Sequence, residues 1–297
     1  VKLLILGADD GYYVQELARI AGEQGDEVTI HPFAQIQHRL AHGQSALLTS
    51  DGIDFRTFDA IIVRSMPASS LEQTIFRMDA LYAVEKQGVL VLNPVKSLEC
   101  AIDKWLTLLR LTEAGIKVPS TIACESVDHA MAAFEALGKS VVVKPIFGSE
   151  GRGMVHLTDA DIAWRTFKTL TQLQAVIYLQ EFIEHGGRDV RIMTWQDEVL
   201  GAITRHNSTD FRTNSVLDST AQIHEPTVIE CKLAILAAEV TGVIFAGVDL
   251  VYAASGELYV LEVNAVPGWK ALQETTGLPI AKLMLDRLRT HLKSRSQ

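Results

Sequence analysis

Two carboxylates and an amide near the carboxy terminus carry the clearest chemical signal in the sequence. Asp249 lies inside the apolar run Gly247-Val248-Asp249-Leu250, and Glu262 and Asn264 lie in Leu261-Glu262-Val263-Asn264. A charge in an otherwise apolar strand is costly to bury unpaired. Residues two apart on a strand point to one face, so Glu262 and Asn264 share theirs. Such oxygen donors suit Mg²⁺, a hard cation that shares its shell with nucleotide phosphates. A second signal is cationic. Lys144 closes the stretch Val141-Val142-Val143, and Gly148-Ser149-Glu150-Gly151-Arg152-Gly153 follows. Three glycines in six residues let backbone N–H groups approach phosphate oxygens. A lysine beside them adds compact positive charge. Third, Gln180-Glu181-Phe182-Ile183 reads as an extended segment able to offer backbone groups to a flat purine. Each feature alone has a plainer reading: a solvated strand end, a flexible hairpin, an ordinary buried strand.

The elements that must position these residues follow from hydrophobic patterning. In the first third, strands at 2–6, 27–31, 60–64 and 89–92 alternate with helical stretches, the first helix at 13–24. That order predicts a parallel, helix-covered sheet. The Gly7–Gly11 turn lacks the GxGxxG spacing of dinucleotide-binding folds. Helices are predicted at 103–114, 127–137, 161–173, 230–241 and 280–293. Strands are predicted at 140–145, 155–158, 178–183, 189–195 and 198–205, with a hairpin over 245–263 turning at Ser255-Gly256. Asp103 is placed to cap its helix and Gly115 to end it. Gly138-Lys139-Ser140 imitates the end of a phosphate-binding P-loop, but Ala133 stands where that motif needs glycine, and the helix precedes the strand. Gly138 therefore reads as a helix cap. Boundaries near 97 and 185 divide the chain into segments 1–97, 98–185 and 186–297.

Composition bounds the function class. A chain of 297 residues with 48% hydrophobic and 21% charged residues supports about two packed domains. The net charge of −9 disfavours general nucleic-acid binding, which needs basic surface. Cys100, Cys124 and Cys231 are scattered and form no CxxC pair, which fits a reducing, cytoplasmic setting without a disulfide framework or zinc ribbon. No window is long and apolar enough to suggest a membrane span.

Taken together the motifs resemble the ATP-grasp superfamily, and within it the RimK-like glutamate ligases. The resemblance is carried by Asp103-Lys104, VVVKPIFGSEGRG at 141–153, QEFIEHGGRDVR at 180–191, Arg205, DFRTN at 210–214, GVDL at 247–250 and LEVNAVPGW at 261–269. Their order and spacing agree over roughly residues 98–280; the first third has only a compatible strand–helix pattern. The resemblance implies an α/β and α+β architecture, an ATP-grasp fold behind an N-terminal Rossmann-like parallel sheet domain. It implies that Lys104 and Lys144 hold phosphates while Gly148, Ser149, Gly151 and Gly153 close as a lid, poorly ordered without nucleotide. Glu181 and Ile183 would meet adenine through backbone, with Phe182 between them, and Asp189 matches the ribose-binding acid. Asp249, Glu262 and Asn264 match the Mg²⁺ ligands, with Mn²⁺ a possible substitute. Arg205 and Arg212 match catalytic cations near the transferred phosphate, with Asn214 beside them. His185 and His206 read as loop histidines.

The chemistry this implies is amide formation. ATP converts a carboxylate to an acyl phosphate, an amine attacks, and phosphate leaves. The protein then needs charge stabilisation and exclusion of water more than proton-transfer groups. The expected amine is L-glutamate. Ala265-Val266-Pro267-Gly268-Trp269 departs from the Ser-Pro-Gly-Leu form of the ribosomal-protein modifiers and leans toward small-molecule ligases of the tetrahydromethanopterin type. An acidic chain is also a poor grip for an acidic protein tail. Modification of a protein carboxy terminus, phosphoryl transfer to a hydroxyl by a kinase, and ATP sensing without catalysis remain the alternatives. Expected partners are small molecules, with neither nucleic acid nor membrane, in a homo-oligomer.

Overall fold

The computed structural model describes residues 1–148, 153–212 and 219–295. Ser149, Gly151 and Asn214 lie outside the described residues, and with them the expectation about how the glycine loop orders without nucleotide.

The first region runs β1 (Lys2–Leu6), α1 (Tyr12–Glu23), β2 (Glu27–His31), β3 (Gln37–Ala41), β4 (Gln44–Leu48), β5 (Ala60–Val63), α2 (Leu71–Lys86), β6 (Leu90–Leu92), α3 (Val95–Ile102) and α4 (Lys104–Glu113). Its sheet has the order β2-β1-β5-β6 with every pairing parallel, as the alternating pattern predicts. The near-continuous apolar runs arise because both faces are covered. Leu4, Leu6, Ile61 and Val63 enter one core, and Leu3, Ile5, Ala60 and Ile62 enter another on the opposite face. The β3–β4 hairpin is an addition that patterning did not indicate. Asp103 caps α4, its Oδ1 accepting from the Leu106 N–H at 3.0 Å.

The middle region runs β7 (Thr121–Cys124), α5 (Val127–Ala136), β8 (Val141–Lys144), β9 (Val155–Leu157), α6 (Ala160–Gln172) and β10 (Ile177–Glu181). It forms an antiparallel sheet in the order β7-β10-β8-β9. Its own core joins Phe134 of α5 and Phe167 of α6 to Val141, Val143 and Leu179 of the sheet. Gly138 follows α5 in the left-handed conformation (φ +79), which suits a residue without Cβ.

The last region runs β11 (Arg188–Trp195), β12 (Glu198–Asn207), β13 (Ser219–Ile223), α7 (Val228–Thr241), β14 (Phe245–Tyr252), β15 (Leu258–Asn264), α8 (Lys270–Thr276) and α9 (Ile280–Arg295). Its strands form an antiparallel sheet in the order β13-β12-β11-β14-β15. A capping box of Thr227 and Glu230 starts α7. Val190, Ile192, Val248, Leu250 and Val263 point into a core shared with Ala234 and Ala238 of α7. On the opposite face each strand is graded. Met193, Trp195 and Phe245 pack beside Trp269 and Leu285 at one end; the other end carries the charges described below.

The first and last regions are joined through both cores and through Asn93. This side chain, 1% exposed, donates to Phe245 O (2.8 Å) and Ala265 O (2.6 Å) and accepts from the N–H groups of Ile244 (2.9 Å) and Phe245 (2.8 Å). Among the described residues no helix is long and apolar enough to cross a membrane.

Candidate active site

The charged end of the last sheet is assembled by strand register. Asp189 lies opposite Arg205 on β11 and β12, Arg191 opposite Asp249 on β11 and β14, and Asp249 opposite Glu262 on β15. Gly247 lies opposite Asn264. Asp189 with Arg191, and Glu262 with Asn264, are two apart, so one face collects the whole row. The row begins at a tight place. Gly187 adopts φ +69, and a Cβ there would stand 2.2 Å from Asn207 O, so only glycine lets β11 enter beside β12.

Within the row, acids and arginines interlock. Arg191 Nε and Nη2 each donate to Asp249 at 2.7 Å. Arg205 Nε donates to Asp189 at 2.8 Å, its Nη2 also bonds Asp189, and Nη2 lies 3.2 Å from Asp249 Oδ1. Asp189 is 3% exposed, Asp249 3% and Arg205 7%, so solvent screens these pairs little. Burial opposes ionisation of Asp249, but Arg191 and Arg205 outweigh it and hold the carboxyl below the usual range. Burial likewise opposes the charge of Arg205, and Asp249 and Asp189 outweigh it and raise its pKa. The Asn264 amide bridges the row: oriented by its neighbours, its nitrogen donates to Glu262 Oε1 (3.2 Å) and its oxygen accepts from Arg191 Nη2 (3.3 Å).

Two lysines share the cleft with this row. Lys144 ends β8, and its Nζ donates to Gln180 Oε1 at 2.5 Å. Burial lowers its pKa to about 8; the Lys104 charge also lowers it, whereas Glu262 and Asp249 act to raise it. Lys104 opens α4 and donates from Nζ to Gly148 O at 2.6 Å, which ties this helix to the start of the glycine loop. Burial lowers its pKa too. Beyond β10 the chain offers a flat wall. The Phe182 ring stacks on His156 with centroids 4.1 Å apart, and Phe211 meets it edge-on at 6.2 Å. The N–H of Glu181 donates to Ser120 O and that of Phe182 to Ser140 O, whereas that of Ile183 has no acceptor among the described residues.

These surfaces enclose a cleft of about 970 Å³ including its open mouth. Of the residues singled out from sequence, Lys104, Lys144, Gly148, Glu181, Phe182, Ile183, Asp189, Arg212, Asp249 and Glu262 line it. Arg205 sits behind Asp189 and Asp249, and Asn264 sits beside Glu262. Gly153 flanks the loop with φ +73, against Pro145. Arg212 bonds Asp210 through Nε at 3.0 and 3.1 Å.

Sequence reasoning missed Arg191, although its spacing of two from Asp189 was a usable signal. It missed Gln180, the partner of Lys144, because a glutamine in a strand is unremarkable by type. His185, read as a loop histidine, lines the cleft, where burial lowers its pKa and its Nδ1 has no partner among the described residues. Among the described residues no three His, Cys, Asp or Glu side chains cluster as a metal site. The donor set formed by Asp249, Glu262 and Asn264 is nevertheless all oxygen, which fits a hard divalent ion whose other ligands are phosphate and water.

A model of the RimK-like ATP-grasp domain matches residues 101–288. A probable alpha-L-glutamate ligase of Enterobacter sp. is 32% identical over 295 residues, 98% of this chain and 96% of that protein. A tetrahydromethanopterin:alpha-L-glutamate ligase of Methanosarcina acetivorans is 30% identical over 262 residues, 79% of this chain and 81% of that protein. The fold also matches the ATP-grasp ligase PsnB, solved with a minimal precursor, at a TM-score of 0.77 and 20% identity over 97% of this chain and 98% of that one. PsnB has also been solved with Mg and ADP, matching at a TM-score of 0.74 and 19% identity over 98% of each chain. The chain therefore belongs to the RimK-like ATP-grasp family and is a ligase that forms carbon–nitrogen bonds.

Proposed function

We propose that this enzyme joins the amino group of L-glutamate to a carboxylate of a small-molecule acid, at the expense of ATP and through an acyl phosphate. The observation that carries the reading is the row of interlocked acids and arginines facing Lys104 and Lys144 across one cleft. Lys144 and Lys104 neutralise phosphate oxygens, and Ile183 offers its N–H to the purine beside Phe182. Glu262, with Asp249 and Asn264, supplies oxygen ligands for Mg²⁺, which when bound stabilises charge on the transferred phosphoryl group. Arg191 and Arg205 fix the Asp249 carboxylate in place and keep it ionised. Arg205 acts from behind the acids rather than in the open cleft. Arg212, on the cleft wall, is the cation placed to meet the transferred phosphate. The acceptor is assigned to small molecules because a chain of net charge −9 repels an acidic peptide tail. The name of one relative points the same way: it is a tetrahydromethanopterin:alpha-L-glutamate ligase.

The test is ADP and phosphate release that requires both L-glutamate and an acid, with a product heavier by one glutamyl unit. Hydroxylamine should trap the activated acid as a hydroxamate. ADP release that yields a phosphorylated product stable to hydroxylamine would instead identify a kinase.

A further inference from the structure

Arg64 follows β5, at the carboxyl end of the parallel sheet, and only 5% of it is exposed. Its guanidinium lies between two rings, 4.8 Å from the centre of Tyr13 and 4.5 Å from that of Trp269. Nη2 donates to Pro267 O at 3.0 Å, but Nε is buried without an acceptor among the described residues. No carboxylate of the described residues compensates the charge, and burial lowers its pKa to about 10. The contrast with Arg205 and Arg191 is sharp. Those arginines present the Nε–Nη2 edge to an aspartate. In Arg64 the same edge holds one backbone carbonyl. A buried cation with an unmet donor is expensive and calls for an explanation, of which a ligand that completes it is one.

The surroundings suit an anionic ligand. Ligands of open parallel sheets bind beyond the carboxyl ends of the strands, where Arg64 stands. Ser65 Oγ accepts from the Ala8 N–H at 3.3 Å, which joins the ends of β1 and β5. The following helix α1 starts at Gly11 with no side-chain cap, leaving its first N–H groups for other acceptors. The position also adjoins the row of acids and arginines. Arg64 holds Pro267, and a Cβ built on Gly247 would fall 2.8 Å from Pro267 Cβ and 3.9 Å from Arg191 Nε.

We propose that Arg64 is a binding residue for a substrate carboxylate, received by its unmet Nε–H beside the Pro267 contact, where the N-terminal sheet meets the Ala265–Trp269 segment. This deepens the ligase reading and rests on it for the identity of the substrate. Both substrates of such a ligase carry carboxylates, so the chemistry is shared between L-glutamate and the acid it joins.

The test uses the full chain saturated with MgADP, so that the lysine cleft is filled, and glutarate as the probe. In the wild type the Arg64 Nε–H resonance, identified by its loss in R64K, should shift saturably as glutarate is added. R64Q should weaken glutarate binding at least tenfold while changing the MgADP Kd less than twofold. In turnover, R64K should raise the KM for L-glutamate if that substrate supplies the carboxylate, or the KM for the acid if the acid does. A resonance that glutarate does not move, or glutarate affinity equal in wild type and R64Q, overturns the proposal and leaves Arg64 as a packing residue. The wild-type titration needs no variant to fold. If the enzyme never turns over L-glutamate, the ligase reading fails while the glutarate titration still decides the subsite.

Discussion

At the scale of single residues, the site works by holding charge where water cannot weaken it. Lys144 is the clearest case, because burial lowers its pKa to about 8. Bound phosphate favours the charged form, so nucleotide binding above that pH must take up a proton. The affinity for MgADP should therefore fall as pH rises through about 8, and K144R, which stays charged, should flatten the fall. Titration calorimetry in buffers of different ionisation enthalpy reads the proton uptake directly. Asp249 has the opposite sign. Its carboxyl is held below the usual value of 3.8, so the stability it contributes is complete above that pH and is lost as pH falls through the depressed value. R191M removes the bidentate partner. Breaking such a buried pair costs about 3–5 kcal/mol. Urea unfolding should show that loss at neutral pH, and a smaller loss at a pH where Asp249 is protonated.

At the scale of elements, register does the positioning. The charged row exists because β11 meets β12 and β14 in a fixed alignment, and a slip of one residue would turn every acid to the opposite face. Gly187 protects that alignment. Alanine there would combine a strained φ of +69 with a contact of 2.2 Å to backbone. G187A should destabilise the protein by at least about 1–3 kcal/mol and weaken MgADP binding, because Asp189 and Arg205 shift together. Calorimetry with the MgADP titration checks both. The alternation that gave β14 and β15 from sequence was strong because only one face is charged. The β3–β4 hairpin was not legible: its strand Gln37–Ala41 is largely exposed, so no buried face imprints a period. Helices α3 and α8 are short, and neighbours rather than periodicity define them.

At the scale of the whole molecule, the first and last regions share cores, whereas the middle region closes its own. Asn93 is the polar fastening of the shared pair, with four hydrogen bonds to Ile244, Phe245 and Ala265. N93A leaves those buried backbone groups unmet and should cost about 3 kcal/mol, given 1–3 kcal/mol for an unsatisfied buried group. Hydrogen exchange should show protection falling together in β1, β5 and β14, with β8 and β10 less affected. Equal loss in all five strands would mean that the middle region is not an independent unit of stability.

The sequence alone determined the type and order of the main elements, most of them to within about two residues, because their apolar periods are local properties of the chain. It also determined which oxygen and nitrogen donors exist, and two-residue spacing put Glu262 and Asn264 on one face. Only tertiary structure decided what those charges meet. The pairs Arg191–Asp249 and Arg205–Asp189 join strands that are adjacent in space, their members 58 and 16 positions apart in sequence. Arg64 shows the same division. The sequence reads it as the last residue of an apolar strand over 60–64, but its burial between Tyr13 and Trp269 without an acid needed three distant segments to converge. Pairing of side chains is a long-range property, and no local pattern encodes it.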